Sequence, residues 1–209
     1  MAKAIAHDRT WTFLLKDWRQ AMPNRVIEPD YRMIHVVAEK RLREKMDEPC
    51  PLTPGKIRSE THLALFVPEK VGNQAFTLAQ FTALFHDPVF GINTDWKKRQ
   101  VFDQLQSVGW YLVYIGLVPC SCRKTTEEQC ALLPTGYQMA GVLQTALLIR
   151  CLARKYHRSL PTNILGRVSE KTNDGARVRI GHASRYYDPK ISDTIRSPRT
   201  GVFAMLPVI

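Results

Sequence analysis

The sequence predicts a mainly helical α+β protein that ends in a basic β-hairpin, and three observations carry that prediction. Apolar residues recur at three- and four-residue spacing over several long segments, the pattern of helices that bury one face. Short runs rich in aromatic and β-branched residues, bounded by proline or glycine, read as strands between them. Near the C-terminus, Asn173-Asp174-Gly175 separates two short alternating segments, which is a strong hairpin signal.

Trp11, Leu14, Leu15 and Trp18 share one face of a helix over 10–22, with Thr10 as N-cap and Pro23 as stop. A second helix over 30–46 begins apolar at Met33, Val36 and Val37 and ends basic between Lys40 and Lys45. The prolines and glycine of 48–55 make a loop. His62 to Val67 reads as a buried strand, and Leu78, Phe81, Leu84 and Phe85 mark a helix over 77–85. After a loop over 86–93, Thr94 caps a longer helix to Val108, which Gly109 stops. A strand over 110–118, a charged tip over 123–129 and a returning strand over 129–133 follow. Pro134-Thr135-Gly136 then opens a long helix over 137–157. That helix is apolar on more than one face, so it sits either centrally or at a subunit interface. Segments 167–170 and 177–180 form the hairpin, and the stretch from Tyr186 is rich in Pro, Ser and Arg and reads as extended. Three regions result: an N-terminal helical region with a short strand (1–75), a central domain (76–160), and a basic hairpin with an extended tail (161–209).

The order of elements in the centre, together with Leu105-Gln106-Ser107-Val108-Gly109, the strand 111–118, the tip Arg123-Lys124 and Leu132-Leu133-Pro134-Thr135-Gly136, resembles the winged helix-turn-helix of the MarR and PadR regulators. The resemblance covers about 76–157. It implies a winged-helix-like centre, DNA binding, and a homodimer or other protein partner through the 137–157 helix. The loop over 87–93 is longer than the resembled turn, and the acidic, arginine-rich wing motif is replaced by Cys-Ser-Cys-Arg-Lys-Thr-Thr-Glu-Glu. On the 94–108 helix, Trp96, Arg99 and Gln100 share a face able to read a groove, since Arg pairs with guanine and Gln with adenine; Lys97 is placed to hold phosphate. The alternative is a core Trp96 with Arg99 and Gln100 solvated.

Composition sets the partner class. With 44% hydrophobic and 23% charged residues the chain is globular rather than disordered. Thirty Lys and Arg against 19 Asp and Glu give a net charge of +11, and the pI near 9.6 suits a polyanion. Residues 150–209 hold 12 basic and 4 acidic groups, so most of the excess lies there. Arg167, Lys171, Arg177, Arg179, Arg185, Arg196 and Arg199 surround Tyr186 and Tyr187, and Arg177 and Arg179 point to one side of a strand. Such a stripe beside stackable aromatics suits RNA or single-stranded DNA; a plain solvated surface is the alternative. The expected function is therefore nucleic-acid binding, DNA-binding first. The alternative is an RNA-binding subunit of a ribonucleoprotein such as a ribosomal or CRISPR-type assembly.

Nothing in the sequence calls for a cofactor or a bound metal. Phosphate-binding, dinucleotide-binding and hydrolase glycine motifs are absent. Cys120, Cys122, Cys130 and His157 make the nearest approach to a zinc set, but Cys-x-Cys is poor ligand spacing. A metal-independent nuclease using His182 beside Arg179 and Tyr186 is the enzymatic alternative. Five cysteines, no apolar leader and no membrane-length apolar run point to reduced thiols and a cytoplasmic protein without a membrane partner.

Overall fold

A computed structural model describes residues 11–22, 27–28, 32–85, 108–158, 165–171, 177–181 and 200–208. The fold is mixed α/β rather than mainly helical. The reason lies in short strands that local patterning under-reports: two-residue strands at both edges of the main sheet, and strands formed by residues after 199.

The main sheet has five strands in the order β1 (Thr12–Phe13), β3 (His62–Val67), β6 (Gly109–Tyr114), β11 (Ala204–Pro207) and β7 (Gln138–Met139). β1 runs parallel to β3 and the remaining pairs are antiparallel. β3 and β6 pair along their whole length, His62 opposite Tyr114 through Val67 opposite Gly109. Both strands are buried, as their unbroken apolar runs require. A second sheet orders β10 (Thr200–Val202), β8 (Leu165–Lys171) and β9 (Arg177–Gly181), with β8 and β9 forming the expected antiparallel hairpin. A third, small sheet joins β2 (Ile27–Glu28), β4 (Lys70–Val71) and β5 (Gln74–Ala75).

Helices α1 (Leu15–Ala21), α2 (Arg32–Asp47), α3 (Arg58–Thr61) and α4 (Leu78–Phe85) precede β6. Of these, α2 and α4 fall where the periodicity predicts; α1 is shorter than the expected 10–22 helix, because Thr12 and Phe13 pair with β3 as a strand and Leu14, not Thr10, is the N-cap. α5 (Thr126–Cys130) does not match the expectation: a returning strand over 129–133 was expected to pair with 111–118 as a wing. Thr125 and Glu128 instead form a reciprocal cap, each side chain accepting the other's backbone N–H at 3.2 and 2.7 Å, and this Thr-x-x-Glu pattern starts a helix. β6 is instead paired on both sides within the main sheet.

The long helix α6 (Val142–Arg154) is the centre of the core, packed against β3, β6, β8 and β9. Every residue from Val142 to Ile149 is buried within the chain, which accounts for its apolar character on several faces. Its first turn is capped from another element, because Gly141 has no side chain to do so: Glu170 on β8 accepts the Val142 N–H at 2.8 Å. The chain passes from the second sheet to the main one at Phe203, between β10 and β11. That corner is tight. A Cβ at Gly166 would collide with the Phe203 ring, and one at Gly201 would lie 2.5 Å from Ser121 Oγ.

Candidate nucleic-acid interface

The expected interface residues divide three ways. Trp96, Lys97, Arg99, Gln100, Arg185, Arg196 and Arg199 lie outside the described residues, as do Leu105 to Ser107 of the winged-helix pattern and His182 and Tyr186 of the nuclease reading. Arg123 is exposed at the tip, and Lys171 is exposed at the end of β8, opposite Arg177 in register. Arg167 and Arg179 are not surface groups. They face each other across β8 and β9 and are both buried. Arg167 donates to the Lys124 carbonyl at 2.9 Å, and Arg179 reaches Thr200 Oγ1 at 3.5 Å. Burial of both side chains means that this pair does not present a basic stripe.

The structure gathers a different set of cations. Arg150, Arg154, Lys155 and Arg158 lie at and just beyond the end of α6, where their charges also suit the helix dipole. The helix ends without a glycine: His157 takes a left-handed conformation at φ 51°, and the Arg158 N–H reaches back to the Leu152 carbonyl at 2.7 Å. This six-residue closure turns the chain sharply and carries Arg158 across to Trp11. There its guanidinium stands 4.8 Å from the Trp11 ring centre, and Trp11 in turn packs against Tyr156 at 4.6 Å. Eight residues before Arg158, the Arg150 guanidinium lies 3.9 Å from the ring centre of Phe85, the last residue of α4. Two arginines are thus held against aromatic rings on one end of the molecule.

Asp17 fixes this end. One carboxylate oxygen caps α1 by accepting the Leu14 N–H at 2.8 Å; the other receives the Lys155 ammonium at 2.6 Å. Lys155 also donates to the Thr12 carbonyl at 2.7 Å. Burial lowers the affinity of Lys155 for its proton, but Asp17 and Tyr156 outweigh this and hold its pKa above the ordinary lysine value. Its charge is therefore permanent and largely answered by Asp17. Between α1 and α6 lies a cavity of about 240 Å³ bounded by Phe13, Asp17, Gln20, Phe85, Arg150 and Arg154. Gln20, Ala21 and Arg154 in its lining are exposed.

A second concentration of polar groups is internal. His62 Nε2 meets the Tyr137 hydroxyl at 2.9 Å and its Nδ1 meets Thr61 Oγ1 at 2.9 Å. Arg58 Nε donates to the same hydroxyl at 3.1 Å, while its Nη1 pairs with Glu48. The hydroxyl accepts from Arg58, Thr61 donates to the Ile57 carbonyl at 3.2 Å, and each shares a further hydrogen bond with one ring nitrogen of His62. Burial first, and then the charge of Arg58, lower its pKa to about 3. Both ring nitrogens and the hydroxyl are fully engaged, which makes this network a brace between α3, β3 and the segment before β7.

Sequence patterning does not single out the cations at the end of α6 as a set. Part of the signal is local: Arg150 and Arg154 are spaced i, i+4 on one side of the helix, whereas Arg158 lies beyond its end. Trp11 and Phe85, their ring partners, come from distant parts of the chain and carry no such local mark. Among the described residues, no group of three His, Cys, Asp or Glu side chains is placed to hold a metal, and no helix is long and apolar enough to cross a membrane. Compared with family models, with curated proteins and with solved structures, the chain matches none.

Proposed function

We propose that this protein binds nucleic acid, in a cytoplasmic setting, through the end of the molecule formed by Trp11, α1, Phe85 and the C-terminal half of α6. The observation that carries the reading is the interleaving of cations and aromatic rings there: Arg150 on Phe85, Arg158 on Trp11, and Arg154 exposed beside the cavity. Arginine held against a ring keeps its outward N–H groups aimed at solvent, where phosphate oxygens can accept them. The net charge of +11 adds a long-range attraction for the same class of partner.

The reading predicts a salt dependence. Lys155 is paired with Asp17, and the reading places Arg150, Arg154 and Arg158 against phosphates. Three phosphate contacts on a single strand give a log–log salt slope of roughly −2, so a fourfold rise in salt should weaken binding by about 16-fold. Fluorescence anisotropy with a labelled oligonucleotide across a salt series measures this. Arg154→Glu with Arg158→Glu should flatten the slope, and a wild-type affinity indifferent to salt contradicts the proposal.

A further inference from the structure

The two arginine–aromatic pairs carry more than charge, and what they add bears on which form of nucleic acid fits. In a duplex the faces of the bases are covered by their neighbours, so a flat cation or ring on a protein surface meets only phosphate and groove edges. An unpaired strand exposes those faces, and aromatic rings and guanidinium planes are the surfaces on which they stack. Arg150 over Phe85 and Arg158 over Trp11 are two such platforms. Lys155 connects them, since its ammonium lies 5.5 Å over the Tyr156 ring and its side chain lines the cavity with Arg150.

The cavity is a small open cleft. At about 240 Å³ it falls below the usual range of about 300–1,000 Å³ for small-molecule and cofactor sites. It suits one planar base. Its walls match a base in chemistry as well: Phe13 and Phe85 are apolar, and the Gln20 amide offers a donor and an acceptor to a base edge. Arg150 and Arg154 add positive charge to the same lining. The one acid in the wall, Asp17, is covered by Lys155 at 2.6 Å and does not repel a polyanion as a free carboxylate would.

We infer that this face binds single-stranded nucleic acid, lodging one unstacked base against the Arg150–Phe85 pair in the cavity and a neighbouring base on the Trp11–Arg158 pair. The inference rests on the nucleic-acid reading above and narrows it. The test uses the full chain and a single-stranded oligonucleotide containing 2-aminopurine, whose fluorescence changes when it stacks, alongside the same sequence as a duplex. The single strand should bind more tightly, with fluorescence quenched on binding. Arg150→Lys keeps the charge and removes the plane; it should weaken single-strand binding by about tenfold, the scale of one lost base stack, with the salt slope retained. Ala21→Trp, at an exposed position beside the cavity, should block the base and give a similar loss without touching the charges. Thermal melting of each variant confirms folding. If the duplex binds as tightly as the single strand, or if both folded variants bind like wild type, the inference is wrong while the nucleic-acid reading stands. If wild type binds neither form, both fall.

Discussion

Replacing Trp18 with alanine should destabilise the protein by about 4 kcal/mol, the scale of an aromatic truncation in a rigid core. Trp18 is completely buried, packs edge-on against Phe13 and Phe76 at 5.1 and 4.9 Å, and donates its indole N–H to the Phe66 carbonyl at 2.9 Å. It also lies against Phe85 at 5.8 Å, so it is the floor beneath the Arg150 platform. Trp18→Phe retains most of the apolar contact but deletes the hydrogen bond, and should cost about 2 kcal/mol. Urea unfolding of the three proteins should rank them wild type, phenylalanine, alanine. A loss below about 1 kcal/mol for Trp18→Ala would contradict the placement of α1 on the sheet.

Acid should unfold the protein through His62. Its folded pKa of about 3 lies below the ordinary 6.5, because burial and Arg58 disfavour the imidazolium. The unfolded chain therefore takes up this proton first as the pH falls, and the neutral, hydrogen-bonded histidine contributes stability that is complete above pH 6.5. That contribution is lost between 6.5 and about 3, at about 1.4 kcal/mol per pH unit, or up to about 5 kcal/mol in all. Unfolding free energies at pH 7.5 and 4.5 should thus differ by about 2.7 kcal/mol from this group alone. In His62→Gln, whose side chain does not titrate, the difference should shrink by about that amount. Equal pH dependence in the two proteins would show that His62 is not held neutral by the Tyr137 and Thr61 bonds.

What the sequence made legible follows the range of the interactions involved. The strand from His62 to Val67, the helices over 30–46 and 77–85 and the 165–181 hairpin are encoded by local periodicity and turn chemistry, and they form where those signals fall. The wing did not form because two local signals competed. The apolar run at 110–114 is long enough for a central strand, and the Thr125–Glu128 cap starts a helix where a strand had been expected. The 137–157 helix was correct in kind but late in starting, since Gln138 and Met139 are taken by a strand pairing with β11 from the far end of the chain. The same limit applies to the site. Arg167 and Arg179 alternate correctly on their strands, yet their burial depends on Lys124 and Thr200, which no spacing rule connects to them. The aromatic partners of Arg150 and Arg158 are likewise brought in from distant elements.

The most direct test of the central claim is to map where nucleic acid touches the chain. A single-stranded oligonucleotide carrying photoreactive bases is crosslinked to the full protein, and the modified peptides are identified by mass spectrometry. The account predicts crosslinks on Trp11, Tyr156 and Phe85 and on the peptides spanning Arg150 to Arg158, lost in the Arg154→Glu, Arg158→Glu protein. Crosslinks that leave this end of the molecule unmodified and fall instead on the β8–β9 hairpin or the Arg123 tip would contradict it.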